Sequence, residues 1–321
     1  MSILLAPEVI VLFIEDFLLL VFNTIAAVIA YKICKNFNLN ESSQSQYNLE
    51  KQSYLASYII KFSLYLKIIS IIFFIYTLDK LSLIIPGAMC AVGVTSASGY
   101  GFYLLLIKIL NIYLYGFWIL INNQDMKNEN YPFTKSKFKY FLYIYVFFLA
   151  EVILQYFYFF DINPQEIVSC CSTVFNTETI SMVGQITNIP NFISIPIFYC
   201  LFIISIYTSF KKKLVLNGII NFFFLVFSLI TLTSFFGTYI YELPTHHCPL
   251  CILQKDYNFI GYFLYTFLII GTFFGIANSV LKHFLNLSLD RLKISFGFNL
   301  MYVAAVTFYP IRYFLINGVW L

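Results

Sequence analysis

Long apolar runs separated by short polar connections dominate the chain, roughly at 10–33, 56–78, 100–122, 138–160, 190–210, 214–236, 257–280 and 298–316. Each run reaches about 17 residues or more, enough for a helix to cross a hydrocarbon core about 30 Å thick. The runs are uniformly apolar rather than alternating, which sets aside a transmembrane β-barrel. With no water in the bilayer core, each run must satisfy its own backbone, and so each predicts a helix. The pattern predicts an all-α polytopic membrane protein of about eight spans. Glu15 and Asp16 interrupt the first run, which allows a crossing that begins at Phe17. No basic residue precedes that run and no small-residue cleavage site follows it, so it is expected to be a retained span.

Composition agrees. Of 321 residues, 60% are hydrophobic and 11% charged, against roughly 25% charged in a soluble domain, and the mean hydropathy is +0.82. With 19 basic and 15 acidic residues there is no concentrated basic face for nucleic acid. The basic residues fall in alternate connections: Lys32, Lys35 and Lys51; Lys127, Lys135, Lys137 and Lys139; Lys211 to Lys213; Lys282, Arg291 and Lys293. The other connections hold only Lys80 and Lys255. Positive-inside asymmetry predicts that 79–99, 161–189, 237–256 and both termini face outward, on the periplasmic side of a bacterial inner membrane.

Five of the seven cysteines fall in these outer connections: Cys90, Cys170, Cys171, Cys248 and Cys251. An oxidising compartment lets such thiols form and exchange disulfides. Cys34 and Cys200 read as buried small hydrophobes.

The segment Thr245-His246-His247-Cys248-Pro249-Leu250-Cys251-Ile252-Leu253-Gln254-Lys255 directly precedes span seven. Pro at a first helical position predicts a helix start with Cys248 as N-cap and Cys251 in the first turn. The helix dipole would stabilise a thiolate there, and the three-residue spacing would put both sulfurs on one face. Cys251, Lys255, Asn258 and Tyr262 would continue that face into the membrane.

Cys-Pro-Leu-Cys followed by Ile-Leu-Gln-Lys resembles the first catalytic motif of the DsbB family of quinone-coupled thiol oxidases, with Lys255 where the family has Arg. Cys170-Cys171-Ser172-Thr173-Val174-Phe175 is similar to the loop-cysteine motif of vitamin K epoxide reductases, although Asn163 stands where that family has a further cysteine. The order of spans and cysteines matches the reductase layout better, over roughly residues 138–280. The resemblance implies a four-helix bundle in the second half that transfers electrons between cysteine thiols and a membrane quinone, ubiquinone or menaquinone. It implies catalytic roles for Cys248, Cys251 and Cys171, with Cys170 as a further candidate. It also places Lys255 near the quinone, where Gln254 and Asn258 are further candidates, and implies a periplasmic thioredoxin-like thiol protein as partner. The implied organisation is 1–137 as a three-helix region, 138–280 as the bundle, and 281–321 as a cytoplasmic loop and last span.

Two other readings stand beside this one. His246 and His247 next to Cys248 and Cys251, with Cys90 in reach, supply the soft donor set of a zinc or copper site. The unassigned spans fit a structural subunit of a membrane redox complex. Lys108 and Glu151 lie at matching depth in spans three and four, where they predict an ion pair or a proton relay.

Overall fold

The computed structural model describes residues 3–38, 43–128, 131–168, 190–285 and 291–321. Cys170 and Cys171 lie outside the described residues. Among those described there are helices and no strands, and eight helices are long and apolar enough to cross a membrane. In chain order the helices are α1 (Pro7–Asn36), α2 (Gln44–Leu81), a short α3 (Ala91–Ser96), α4 (Gly101–Asp125) and α5 (Thr134–Asp161). There follow α6 (Asn191–Phe210), α7 (Leu214–Tyr241), α8 (Ile260–Leu285) and α9 (Leu292–Asn317). Every expected span has its helix. The largest difference in length is α2, whose 38 residues begin well before the apolar run. That extension is polar and held by local bonds: the Ser43 hydroxyl accepts from the Gln46 N–H at 3.2 Å, and the Gln46 amide reaches Glu50.

The chain divides into two compact units, one of residues 1–86 and 94–168, the other of 87–93 and 169–321. In the first unit α1 packs on α2 and α5, and α4 packs on α2 and α5, which closes a four-helix ring. In the second, α6, α7, α8 and α9 close a ring in the same way. The second-half bundle therefore consists of spans five to eight, not the span four to seven expected for 138–280. Buried charge explains why α5 belongs to the first unit. Glu151 on α5 is 3% exposed and receives Lys108 of α4 at 2.8 Å and Lys67 of α2 at 3.5 Å. A carboxylate at that depth must be paired, so its helix follows its partners. The last span belongs to the second bundle through its core, where Tyr302 meets Phe198 and Phe224 edge-on.

Both bundles are inside-out by the standards of a soluble protein. Phe17, Val146 and Ile203 are more than half exposed along the spans, while Asn217, Asn221 and Asn299 are buried. Lipid accepts the former, and the latter bond between helices, as where the Asn299 side-chain amide donates to the Asn221 side-chain oxygen at 2.8 Å. A Cβ on Gly271 of α8 would lie 2.1 Å from the Asn299 side chain, so a glycine is required at that crossing.

Candidate functional site: three sulfurs in the second unit

Near its end α7 widens into a π turn at Leu232–Phe236, then finishes at Tyr241 with Glu242 in the left-handed conformation. π turns often mark functional positions. Here the turn delivers Tyr241 to the Cys-Pro-Leu-Cys segment. The Tyr241 hydroxyl donates to the Cys248 carbonyl and accepts from the Ile252 N–H at 3.1 Å. From α8, the Tyr265 hydroxyl donates to the Pro249 carbonyl. Two tyrosines thus hold the backbone between the two thiols. The Tyr241 ring is also flanked edge-on by His246 and Tyr257, with centroids at 4.3 and 4.7 Å.

The second loop of the site is 87–93, which belongs to the same unit. Gly87 turns it through a φ of 81°, and the Gln254 side-chain amide ties it to the thiol loop by donating to the Met89 carbonyl at 3.3 Å. This brings the buried Cys90 thiol to 3.5 Å from Cys248 Sγ. Cys90, Cys248 and Cys251 have sulfurs within 4.8 Å of one another, and all three are free thiols. Cys248 is half-buried; the other two are buried.

Such crowding separates the three groups electrostatically. The S–H groups of Cys251 and Cys90 bond to Cys248, and the Leu250 and Cys251 N–H groups add to them. Together they outweigh burial and bring the Cys248 thiol down to about 4. Cys251 is pushed far up, first by its hydrogen bond with Cys248 and next by that with Cys90, with burial adding to both. The negative charge therefore favours Cys248 over Cys251. Burial, and then the neighbouring His247, lower His246.

Alkylation of Cys248 is expected to be nearly flat from about pH 6 to about 8, where an ordinary thiol of pKa about 8.5 gains about tenfold per unit. Mass spectrometry of the modified peptide measures this. Because the folded state favours this thiolate, its contribution to stability is complete above pH ~9 and is lost as pH falls through about 4. Removing one hydroxyl with Tyr241→Phe leaves the Cys248 carbonyl and the Ile252 N–H unpaired. We expect a loss of about 1–3 kcal/mol in the detergent-solubilised protein. The pH midpoint of Cys248 alkylation should rise as the loop loosens.

Several expected site residues are placed differently. Cys248 is not an N-cap, because α8 begins only at Ile260. Instead, Cys251–Leu253 and Lys255–Tyr257 form separate 3-10 turns, ended by Asn258 and Phe259 at positive φ. The loop then folds onto the start of α8, so close that a Cβ on Gly261 would lie 2.9 Å from the Ile252 carbonyl oxygen. No continuous helix face joins Cys251 to Lys255, Asn258 and Tyr262, and Lys255 and Asn258 are exposed. Hydrogen bonds, rather than the dipole of α8, stabilise the thiolate. Gln254 serves the site as a strut between loops. Neither histidine joins the sulfur cluster; the His247 Nδ1 lies 3.2 Å from the Thr233 carbonyl. Cys170 and Cys171, expected in the exchange path, lie outside the described residues.

Tyr241 and Tyr265 were not legible as site residues, since two tyrosines among 26 in an aromatic-rich chain carry no distinguishing signal. The fold and site together define a polytopic α-helical membrane protein with a three-thiol centre at one end of its second bundle. Comparison with known proteins finds no matching family model, no matching curated protein and no matching solved structure.

Proposed function

We propose that the chain is a membrane thiol–disulfide oxidoreductase that exchanges electrons between thiols of an external, periplasmic protein and a membrane quinone. The observation that carries this reading is the 3.5 Å approach of Cys90 Sγ to Cys248 Sγ, with Cys251 completing a cluster within 4.8 Å. Thiol exchange needs a reachable thiolate and a second sulfur to resolve the mixed disulfide. Half-buried Cys248 meets the first requirement by its lowered pKa, and buried Cys251 or Cys90 meets the second. In the oxidising direction the partner's two thiols become a disulfide while the Cys248–Cys251 disulfide is reduced. Two electrons and two protons then pass to quinone, which becomes quinol. The same sulfurs serve the reverse direction. Cys90 is the described thiol that faces Cys248, while Cys171 lies outside the described residues; the quinone role rests on the resemblance of the Cys248–Gln254 segment rather than on Lys255.

The same crowding favours a second reading. Three thiolates at about 2.3 Å from one ion lie about 4 Å apart, so the cluster also suits a soft metal such as Cu(I) or zinc. One experiment separates the two. The reduced protein is given a soluble quinone analogue without oxygen, and its free thiols are counted. The oxidoreductase reading expects two thiols lost per chain and quinol formed in equal amount. Persistence of all three thiols, shielded by one tightly bound soft metal ion per chain, overturns it in favour of the metal site.

A further inference from the structure

The first unit holds a separate constellation deep among its helices. Asp16 of α1, Lys67 of α2, Lys108 of α4 and Glu151 of α5 are each 5% exposed or less. Lys67 pairs with Asp16 and, at 3.5 Å, with Glu151 Oε1, which also takes Lys108 at 2.8 Å. Gln155 donates to Asp16 Oδ2 at 2.6 Å; Asn111 and Tyr115 donate to Glu151 Oε2 at 2.6 and 3.2 Å. Two carboxylates face two ammonium groups, so this tetrad is neutral when fully ionised.

Glu15 is the fifth charge and has no ion pair of its own among the described residues. The Ser70 hydroxyl donates to its Oε2 at 2.7 Å, while its buried Oε1 has no partner among the described residues. The charged groups around it are Asp16 on its own helix, Lys67 of α2 and Lys108 of α4. Glu151 and Tyr156 of α5 face the same pairs. Both cations are already matched by Asp16 and Glu151. An ionised Glu15 would leave one net negative charge inside the membrane, a costly state; a proton cancels it.

A second observation points to the same ligand. The side-chain oxygens Asn111 Oδ1 and Gln155 Oε1, on residues 1% exposed, are buried within the cluster and lack a donor among the described residues. Two further buried groups, the Asn23 amide and the Ser63 hydroxyl, have no partner among the described residues. Asn23 lies two turns from Asp16 on one face of α1, and Ser63 one turn from Lys67 on one face of α2. Both stand on the side of the tetrad toward Asn36 and Gln44. Buried polar groups thus extend from the tetrad toward one end of the bundle.

We propose that this unit is a proton-binding element in which Glu15 takes up and releases one proton beside the neutral Asp16–Lys67–Lys108–Glu151 tetrad. Binding converts the Glu15 carboxylate to the acid and changes the cluster's net charge from −1 to zero. The site is independent of the sulfur chemistry and stands or falls by itself.

Dicyclohexylcarbodiimide, an apolar reagent that adds to protonated carboxyls, tests it on the full chain in lipid vesicles. Labelling mapped by mass spectrometry is expected at Glu15, and about tenfold weaker at alkaline than at mildly acidic pH. It should vanish in Glu15→Gln, a neutral isostere expected to fold. Infrared difference spectra should show a protonated carboxyl band in the parent and not in that variant. Label on Asp16 or Glu151 with Glu15 untouched overturns the proposal. So does absence of label at every pH in folded protein, and so does protection by sodium at constant pH, which marks a cation site instead.

Discussion

Replacing Cys248 with serine is expected to bring electron transfer between external thiols and quinone down to background, at least about 10³-fold below the parent chain. The size of the effect follows from what is lost. Cys248 is the thiolate of the cluster, held near pKa 4 by the Cys251 and Cys90 S–H groups, and it is the half-buried residue of the three. A serine hydroxyl at neutral pH offers neither the charge nor the exchange chemistry. Its similar size leaves the loop in place, because Tyr241 and Tyr265 bond to backbone carbonyls rather than to the sulfur. Folding and membrane insertion should therefore be retained. Quinol formation with a reduced thiol protein as donor measures the loss; turnover within a few-fold of the parent contradicts the role assigned to Cys248.

Replacing Glu151 with alanine is expected to cost about 3–5 kcal/mol of stability, the largest effect of any single change in the first unit. The carboxylate receives Lys108, Lys67, Asn111 and Tyr115. Without it, two buried ammonium groups share Asp16, and one positive charge is left in a low-dielectric interior. Release of the Glu15 proton offsets part of that excess. The double change Lys108→Met with Glu151→Leu keeps the Asp16–Lys67 pair balanced and should recover most of the loss. Unfolding midpoints in detergent for the parent, single and double variants decide this. A single variant as stable as the parent contradicts the pairing.

The spans were legible because bilayer thickness and backbone satisfaction leave few ways to place long apolar runs. The polar start of α2 was not, because hydropathy is blind to a helix held by a Ser43 cap and side-chain bonds. Pairing between helices was only partly legible. Lys108 and Glu151 share a depth in sequence, but Asp16 and Lys67 join them across 51 positions and more. That closure, which carries α5 into the first unit, is a tertiary fact. At the site, Cys90, Cys248 and Cys251 stood out in sequence as thiols of connections poor in basic residues, whereas the approach of Cys90 to Cys248 spans 158 positions and no local pattern encodes it. The proline after Cys248 carried a helix-start signal that the fold does not use. Left-handed Asn258 and Phe259 break the chain into short turns, and packing of Ile252 on Gly261 fixes them.

Disulfide mapping of the Cys251→Ser chain after mild oxidation in membranes tests the three-sulfur site most directly. With Cys251 removed, Cys248 has Cys90 as its near neighbour, and proteolysis should release a peptide pair joined through these two residues in most molecules. Recovery of both thiols unpaired, or of Cys248 joined to some other cysteine in preference to Cys90, contradicts the arrangement on which the redox reading stands.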